Sequence, residues 1–355
     1  MTDLHRLREV GVQLVVRAWS THGGTERYCH GFAQWLVARG VRPRVWCQRV
    51  DLPPGGVDLQ PLTPQGRGRV GRLGATVLAV GRMPRRGLRV GFLRAPHFDV
   101  LRAGGGAHAA AMRASGAWGV ADRVERWVDR SALSTAGVVV ANSQLAADHI
   151  RRDVVRPKES VRVVRNGVDL ERFHPLEAER DMKRVVFVGH GFARKGLETA
   201  LRAVARLPGV RLDVVGADRR HQRYRRLARS LGVDGQVTFL GAVDDPAEVV
   251  RRAGALVLPT RYDPSANVVL EAMACGVPPV TTRYDGASEV LPMPWLVVDD
   301  PDDAVSVAHA LRRALTEPDA GLRCRQAAEA WSRDASFAQF AEVLEAASAR
   351  RVEVR

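Results

Sequence analysis

Arg261-Tyr-Asp-Pro-Ser-Ala-Asn-Val-Val-Leu-Glu271-Ala-Met-Ala-Cys-Gly276-Val-Pro-Pro279 decides how this chain is read. Just before it, Ala255-Leu-Val-Leu258 has the continuous apolar character of a parallel strand buried on both faces, and Pro259 closes the run. The unit is therefore strand, short loop, helix. The first amides of that helix, near Asn267 and Val268, lack partners within it and lie at the positive end of its dipole, so the turn suits a diphosphate. Two acids eight positions apart bracket the helix start: Asp263 in the loop and Glu271 about one turn in. From Glu271 a carboxylate can accept hydrogen bonds from ribose hydroxyls, while Asp263 sits ahead of the phosphate. One segment offers places for three parts of a nucleotide sugar. The plainer alternative is an amphipathic helix with incidental acids.

The same alternation runs along the rest of the chain. Strand signals stand at Val12–Val16, Pro43–Cys47, Val138–Val140 and Val161–Val164 in the first half. In the second they stand at Val185–Val188, Leu212–Val215, Val237–Leu240, Ala255–Leu258, Val280–Thr282 and Leu296–Val298. Helical spacing fills the gaps, as in Thr25–Arg39, which Gly40 stops. Residues 51 to 89 are rich in Pro, Gly and Arg and give only weak strand signals. This pattern predicts an α/β protein with two doubly wound parallel sheets. The divisions fall at 1–170, 171–335 and a last helix within 336–355. At 355 residues the chain has room for two cores.

Composition narrows the classes. No run of eighteen apolar residues is present, which excludes a spanning helix, and the polar opening does not read as a signal peptide. Cys29, Cys47, Cys275 and Cys324 lack pair spacing and read as buried free thiols. The net charge is +15, with dense patches at Arg67-Gly-Arg69-Val-Gly-Arg72 and Arg82-Met-Pro-Arg85-Arg86-Gly-Leu-Arg89. An anionic membrane surface or a phosphorylated, lipid-linked acceptor accounts for this better than nucleic acid, because no nucleic-acid fold signature or interleaved aromatics accompany the patches. No Asp-x-Asp pair in a suitable loop and no His–Cys cluster suggests a metal, the runs Asp244-Asp245 and Asp299-Asp300 reading as helix-start acids, so no metal is expected, and no cofactor.

A second constellation is Val188-Gly189-His190-Gly191-Phe192-Ala193-Arg194-Lys195-Gly196. Two adjacent cations follow a strand at the end of the sheet where ligands collect in open α/β folds. Arg194 and Lys195 there can neutralise a leaving diphosphate; a solvated basic turn is the bland alternative. Gly23-Gly24-Thr25-Glu26 joins the first strand to the first helix and would let backbone approach a ligand, although any tight turn can use paired glycines. Arg94 to His108 reads as a glycine-rich loop, and its His97 and His108 are as readily packing residues as functional ones.

The Asp263–Glu271 segment resembles the donor-binding motif of retaining family 4 glycosyltransferases, which pairs two glutamates at this spacing; here the first is an aspartate. Val-Gly-x-x-Phe-x-Arg-Lys-Gly is similar to the phosphate-clamp segment of the subgroup that adds the first glucose to the lipopolysaccharide core. Val164-Arg-Asn166-Gly167-Val168-Asp169 and Gly286-Ala-Ser288-Glu289 also resemble that family. The resemblance implies a GT-B architecture, with two Rossmann-like domains, a cleft between them, and the last helix packing back on the first domain. It implies transfer of a hexose, glucose from UDP-glucose first, to a glycan hydroxyl with retention and without a metal, at the cytoplasmic face of a membrane. Arg194, Lys195, Asp263 and His108 would be the catalytic set. Gly23, Gly24, Gly189, Asn267, Val268 and Glu271 would bind the donor, and Asp99 and His97 would meet acceptor or sugar. A nucleotide-sugar epimerase or hydrolase of the same architecture is the second reading, and a basic nucleic-acid-binding module the third.

Overall fold

The computed structural model describes residues 4–116, 119–176 and 180–353. It divides into two compact units, 1–166 with 334–355, and 167–333. The sequence boundaries at 170 and 335 lie a few residues from these divisions. Residues 177–179 lie outside the described residues.

The first unit is built on seven strands: β1 (Val12–Trp19), β2 (Arg44–Val50), β3 (Asp58–Pro61), β4 (Leu88–Gly91), β5 (Val100–Arg102), β6 (Val138–Ala141) and β7 (Val161–Val163). Their order is β3-β2-β1-β4-β5-β6-β7, with every pair parallel. β1, β4 and β6 are buried nearly throughout, as strands covered on both faces must be. β5 is a correction to the reading of residues 94–108 as a loop. It is a three-residue strand, too short and too close to glycines to announce itself. The helix Gly68–Gly81 begins within the first arginine patch.

The helix Arg333–Glu353 belongs to this same unit. Its Phe337 meets Tyr28 edge-on at 5.1 Å and its Phe340 meets Phe32 at 4.8 Å. Trp35 Nε1 donates to Asp334 Oδ1 at 2.5 Å. Phe32 and Phe340 are fully buried. Aromatic contacts of this kind add roughly 0.5–1.5 kcal/mol each beyond area burial.

The second unit holds β8 (Asp181–Val188), β9 (Arg211–Val215), β10 (Val237–Gly241), β11 (Ala253–Leu258), β12 (Pro279–Thr282) and β13 (Val297–Val298). The order β10-β9-β8-β11-β12-β13 is again parallel throughout. Starting from a central strand, β8, and winding outward both ways places the C-terminal ends of β8 and β11 side by side, where the strand order reverses. All four cysteines are free and buried.

Candidate active site

In the second unit the loops after β8 and β11 are laced together. Arg261 N donates to the Arg194 carbonyl at 2.9 Å, and Thr260 Oγ1 donates to the same oxygen at 3.0 Å. Gly196 permits this approach: it has a left-handed φ of 78°, and a Cβ there would lie 2.0 Å from the Pro259 carbonyl oxygen. The turn Phe192–Lys195 is anchored at its start by Asp218, whose Oδ2 accepts from Phe192 N at 2.8 Å.

This lacing brings three charges together. Asp263 Oδ2 accepts from Arg194 Nη1 at 2.9 Å and from Lys195 Nζ at 2.7 Å. Asp263 Oδ1 accepts from Ser265 N at 3.1 Å. Arg194 is partly open, with 38 % of its side chain exposed, whereas Lys195 and Asp263 are near 10 % and 11 %. Burial pushes the Asp263 carboxyl upward, but Lys195 and Arg194 outweigh it and hold the group below the usual carboxylate range. Two cations thus share one carboxylate. Beside them the helix Asn267–Ala274 starts after Ala266, which has no side chain to cap its first amides.

A second buried acid was missed by sequence reasoning. Asp285 is fully buried, and its Oδ1 accepts from Ala266 N at 3.0 Å and Ala287 N at 2.9 Å. Its Oδ2 accepts from Thr281 Oγ1 at 3.0 Å. Asp285 thereby fixes the residue that precedes the helix. Burial, then the charge of Asp263, pushes its carboxyl up to about 6. The Asp-Gly pair reads in sequence as an ordinary turn, so only the neighbouring apolar strand hinted at burial.

In the first unit the C-terminal ends of the strands border a cavity of about 530 Å³. Its wall includes Thr25 and Glu26 after the paired glycines, Arg69 and Arg72 from the helix Gly68–Gly81, Phe92, and the turn Gly104–Gly106. Arg69 and Arg72, read in sequence as part of a surface patch, thus face this cavity.

Two family models match the chain: Glycosyltransferase Family 4 over residues 22–172 and Glycosyl transferases group 1 over residues 170–331. The chain therefore carries a Family 4 glycosyltransferase domain followed by a group 1 glycosyl transferase domain. A lipopolysaccharide core biosynthesis glycosyltransferase of Rhizobium meliloti, LpsE, is 32% identical over 48% of this chain and 51% of its own. The match spans about half that relative's length. Among solved structures, WaaG, involved in lipopolysaccharide biosynthesis, superposes with a TM-score of 0.79 at 21% identity, over 94% of this chain and 99% of its own. Anabaena Alr3699/HepE in complex with UDP-glucose gives 0.75 at 17%, over 94% and 99%. These neighbours establish the GT-B fold.

The remaining expected residues of this glycosyltransferase fall in different places. Gly189 packs against Lys195, whose Cγ would lie 3.2 Å from a Cβ there. Glu271 is half-buried on the helix Asn267–Ala274. Gly23 and Gly24 open the helix Gly24–Val37 in the first unit, Gly23 with a φ of 89°. Asp99 and His97 do not reach the cavity. They precede β5, at its opposite end, where Asp99 Oδ2 accepts from Arg89 N at 2.7 Å and exposed His97 donates its amide to Thr135 Oγ1. His108 is buried and touches three cavity-lining residues without being one. Its Nδ1 accepts from Arg94 Nη1 at 3.2 Å, its Nε2 lies 3.7 Å from Glu125, and its amide donates to Asp129. Burial, then Arg94, pushes its imidazole below the ordinary value. His108, Asp122 and Glu125 place ligand atoms within 4.8 Å of one another. Arg69 already bonds both carboxylates, and the Arg94 bond to Nδ1 leaves the proton on Nε2, so this grouping is an internal ion-pair network.

Proposed function

We propose that this glycosyltransferase moves a hexose from a nucleoside diphosphate sugar, UDP-glucose being the first to test, to a hydroxyl of a growing glycan with retention at the anomeric carbon. The observation that carries the reading is the Arg194–Asp263–Lys195 cluster beside the start of the helix Asn267–Ala274. In this reading the bond from C1 to the β-phosphate oxygen breaks, and the acceptor oxygen bonds to C1 from the same face. The acceptor proton passes to the departing phosphate oxygen. Arg194 and Lys195 meet the charge that develops on the diphosphate, a preorganised stabilisation worth several kcal/mol, roughly 3–4 for one well-placed donor in comparable sites. The helix amides at Asn267 and Val268 take the phosphate oxygens, and Glu271 accepts from the ribose hydroxyls. Asp263 holds both cations in place and faces the donor sugar. The positive groups suffice without a metal ion.

A lipopolysaccharide core glycan is the acceptor class favoured by the likeness to LpsE and WaaG, both of lipopolysaccharide biosynthesis, and by the charge of +15. Association with an anionic membrane face fits the exposed Arg82, Arg85 and Arg86. It also fits one face of the helix Val120–Thr135, where Val120 and Trp127 are exposed beside Arg123 and Arg130. Among the described residues no helix is long and apolar enough to cross a membrane.

The test is a thermal-shift screen of nucleoside diphosphate sugars followed by transfer assays with the responding donor. Stabilisation by UDP-glucose, an α-linked product by NMR and unchanged rates in EDTA are expected. Silence toward every such sugar ends the proposal; an inverted product or EDTA sensitivity ends its mechanistic part.

A further inference from the structure

We infer that the cavity of the first unit binds a phosphate monoester carried on a sugar, with Arg72 and Arg102 as its counter-charges. The inference deepens the proposed function, on which it rests for the assignment of that sugar as the acceptor. Five arginines and three acids line the cavity. Each acid has an arginine partner: Glu26 lies 3.8 Å from Arg17, Glu125 shares Arg69 with Asp122, at 2.5 and 2.9 Å, and Asp129 is bonded by Arg94 at 2.9 Å. Arg72 and Arg102 are left over, and neither makes an ion pair among the described residues.

Arg102 is the unusual one. It ends β5 at 4 % exposure and is stacked over Tyr28, 3.6 Å from the ring centroid. Nη2 donates to Asn166 Oδ1 at 2.8 Å and Nη1 to the Val164 carbonyl at 3.4 Å. A buried guanidinium held only by neutral acceptors is expensive for the fold unless an anion arrives. Burial accordingly pushes its pKa down. Two guanidinium groups without an ion pair suit a phosphate monoester, which carries about 1.5 to 2 negative charges near neutrality and three acceptor oxygens, better than a single carboxylate. The rest of the wall suits a sugar. Phe92, Leu73 and Leu101 offer an apolar side; Thr25, Gln48 and Glu26 offer hydroxyl partners; and Gly104–Gly106 leaves backbone approachable. The volume lies within the roughly 300–1,000 Å³ of small-molecule sites.

Calorimetry on the full chain with glucose 6-phosphate, glucose, inorganic phosphate and UDP tests this. Glucose 6-phosphate is expected to bind at least tenfold more tightly than either glucose or inorganic phosphate. Arg72→Ala, at an exposed position, is expected to weaken it about tenfold and leave UDP binding unchanged. Arg102→Gln, checked for folding by circular dichroism, is expected to weaken it further. Equal affinity for glucose and its phosphate, equal affinity for inorganic phosphate, or an unaltered Arg72→Ala variant overturns the inference. UDP binding separates the two readings. Sugar-phosphate binding without UDP binding breaks the proposed function alone, and the reverse breaks this inference alone.

Discussion

The loop after β11 and the turn after β5 both lie at C-terminal ends of parallel strands, yet they handle charge in opposite ways. In the second unit, one acid takes two cations, and the acid and its lysine are sunk to about a tenth exposure while Arg194 stays partly open. A further acid, Asp285, is buried without a cation on its oxygens. In the first unit each acid lining the open cavity has an arginine partner, and Arg72 and Arg102 remain without an acid among the described residues. The difference teaches where charge is tied to stability and where it is free for a ligand. Removing a buried partner strands a charge, whereas removing a rim partner releases one to water.

The hardest break of this comparison is Asp263→Ala. It leaves Lys195 buried and unpaired, so a loss of about 3–5 kcal/mol is expected in urea denaturation. Glu26→Gln, at the cavity rim, should cost under about 1 kcal/mol. Equal losses would erase the contrast. The low pKa of Asp263 sets the sign of its pH effect. Its contribution is present above the unfolded carboxylate value and disappears as pH falls through the lower folded value.

Asp285 has the opposite sign. Its pKa rises from 3.8 unfolded to about 6 folded, so between those values the native state holds the extra proton. Its part of the stability therefore falls as pH rises from about 4 to about 6, by roughly 3 kcal/mol. Asp285→Asn cannot ionise. The stability of the variant relative to the parent should climb by about that amount across this window and then level off. A flat difference from pH 4 to 7 would show that Asp285 ionises freely in the fold.

Glu271→Gln sharpens the comparison on the ligand side. Losing a charged acceptor for the ribose hydroxyls should raise donor KM about ten- to thirtyfold, the equivalent of roughly 1.5–2 kcal/mol, with little change in kcat. Stability should stay within about 0.5 kcal/mol, since the residue is only half-buried. A fall in kcat at unchanged KM would move Glu271 from holding the donor to acting in the transition state.

What the chain disclosed beforehand follows from how burial marks a sequence. β6 and β11 are continuous apolar runs because both faces are covered, and β1 is broken only by Gln13 and Arg17, so all three were readable. β5 was not, because its three residues end in Arg102, a charge hidden by Tyr28. The residues Arg194, Lys195 and Asp263 stood out individually. Their meeting across 68 positions depends on β8 pairing with β11, which periodicity does not encode. Arg69 and Arg72 looked like surface charge, since a sequence does not say which side of Gly68–Gly81 faces a cavity. Asp285 went unread because its partners, Ala266 and Thr281, are set by the fold and not by a spacing in the sequence.

The smallest effect belongs to His108, which the family resemblance would make catalytic. The imidazole is buried, accepts from Arg94 at Nδ1, and has its pKa pushed below 6.5 by burial and by Arg94. It is therefore neutral at pH 7, and its charged form is unfavourable in the fold. The sign follows. The unfolded chain takes the proton first, so this group lowers stability as pH falls below about 6.5 and contributes nothing to that slope above it. His108→Leu should cost about 1 kcal/mol at pH 7 through the lost Arg94 hydrogen bond, and less at pH 5. Transfer rate should stay within a fewfold of the parent with an unchanged pH profile. A general base at this position would be worth about 10²–10⁴ in rate, so a hundredfold loss in His108→Leu would return the residue to the chemistry. It would also mean that the first unit's paired charges serve the reaction directly, not only the binding of a ligand.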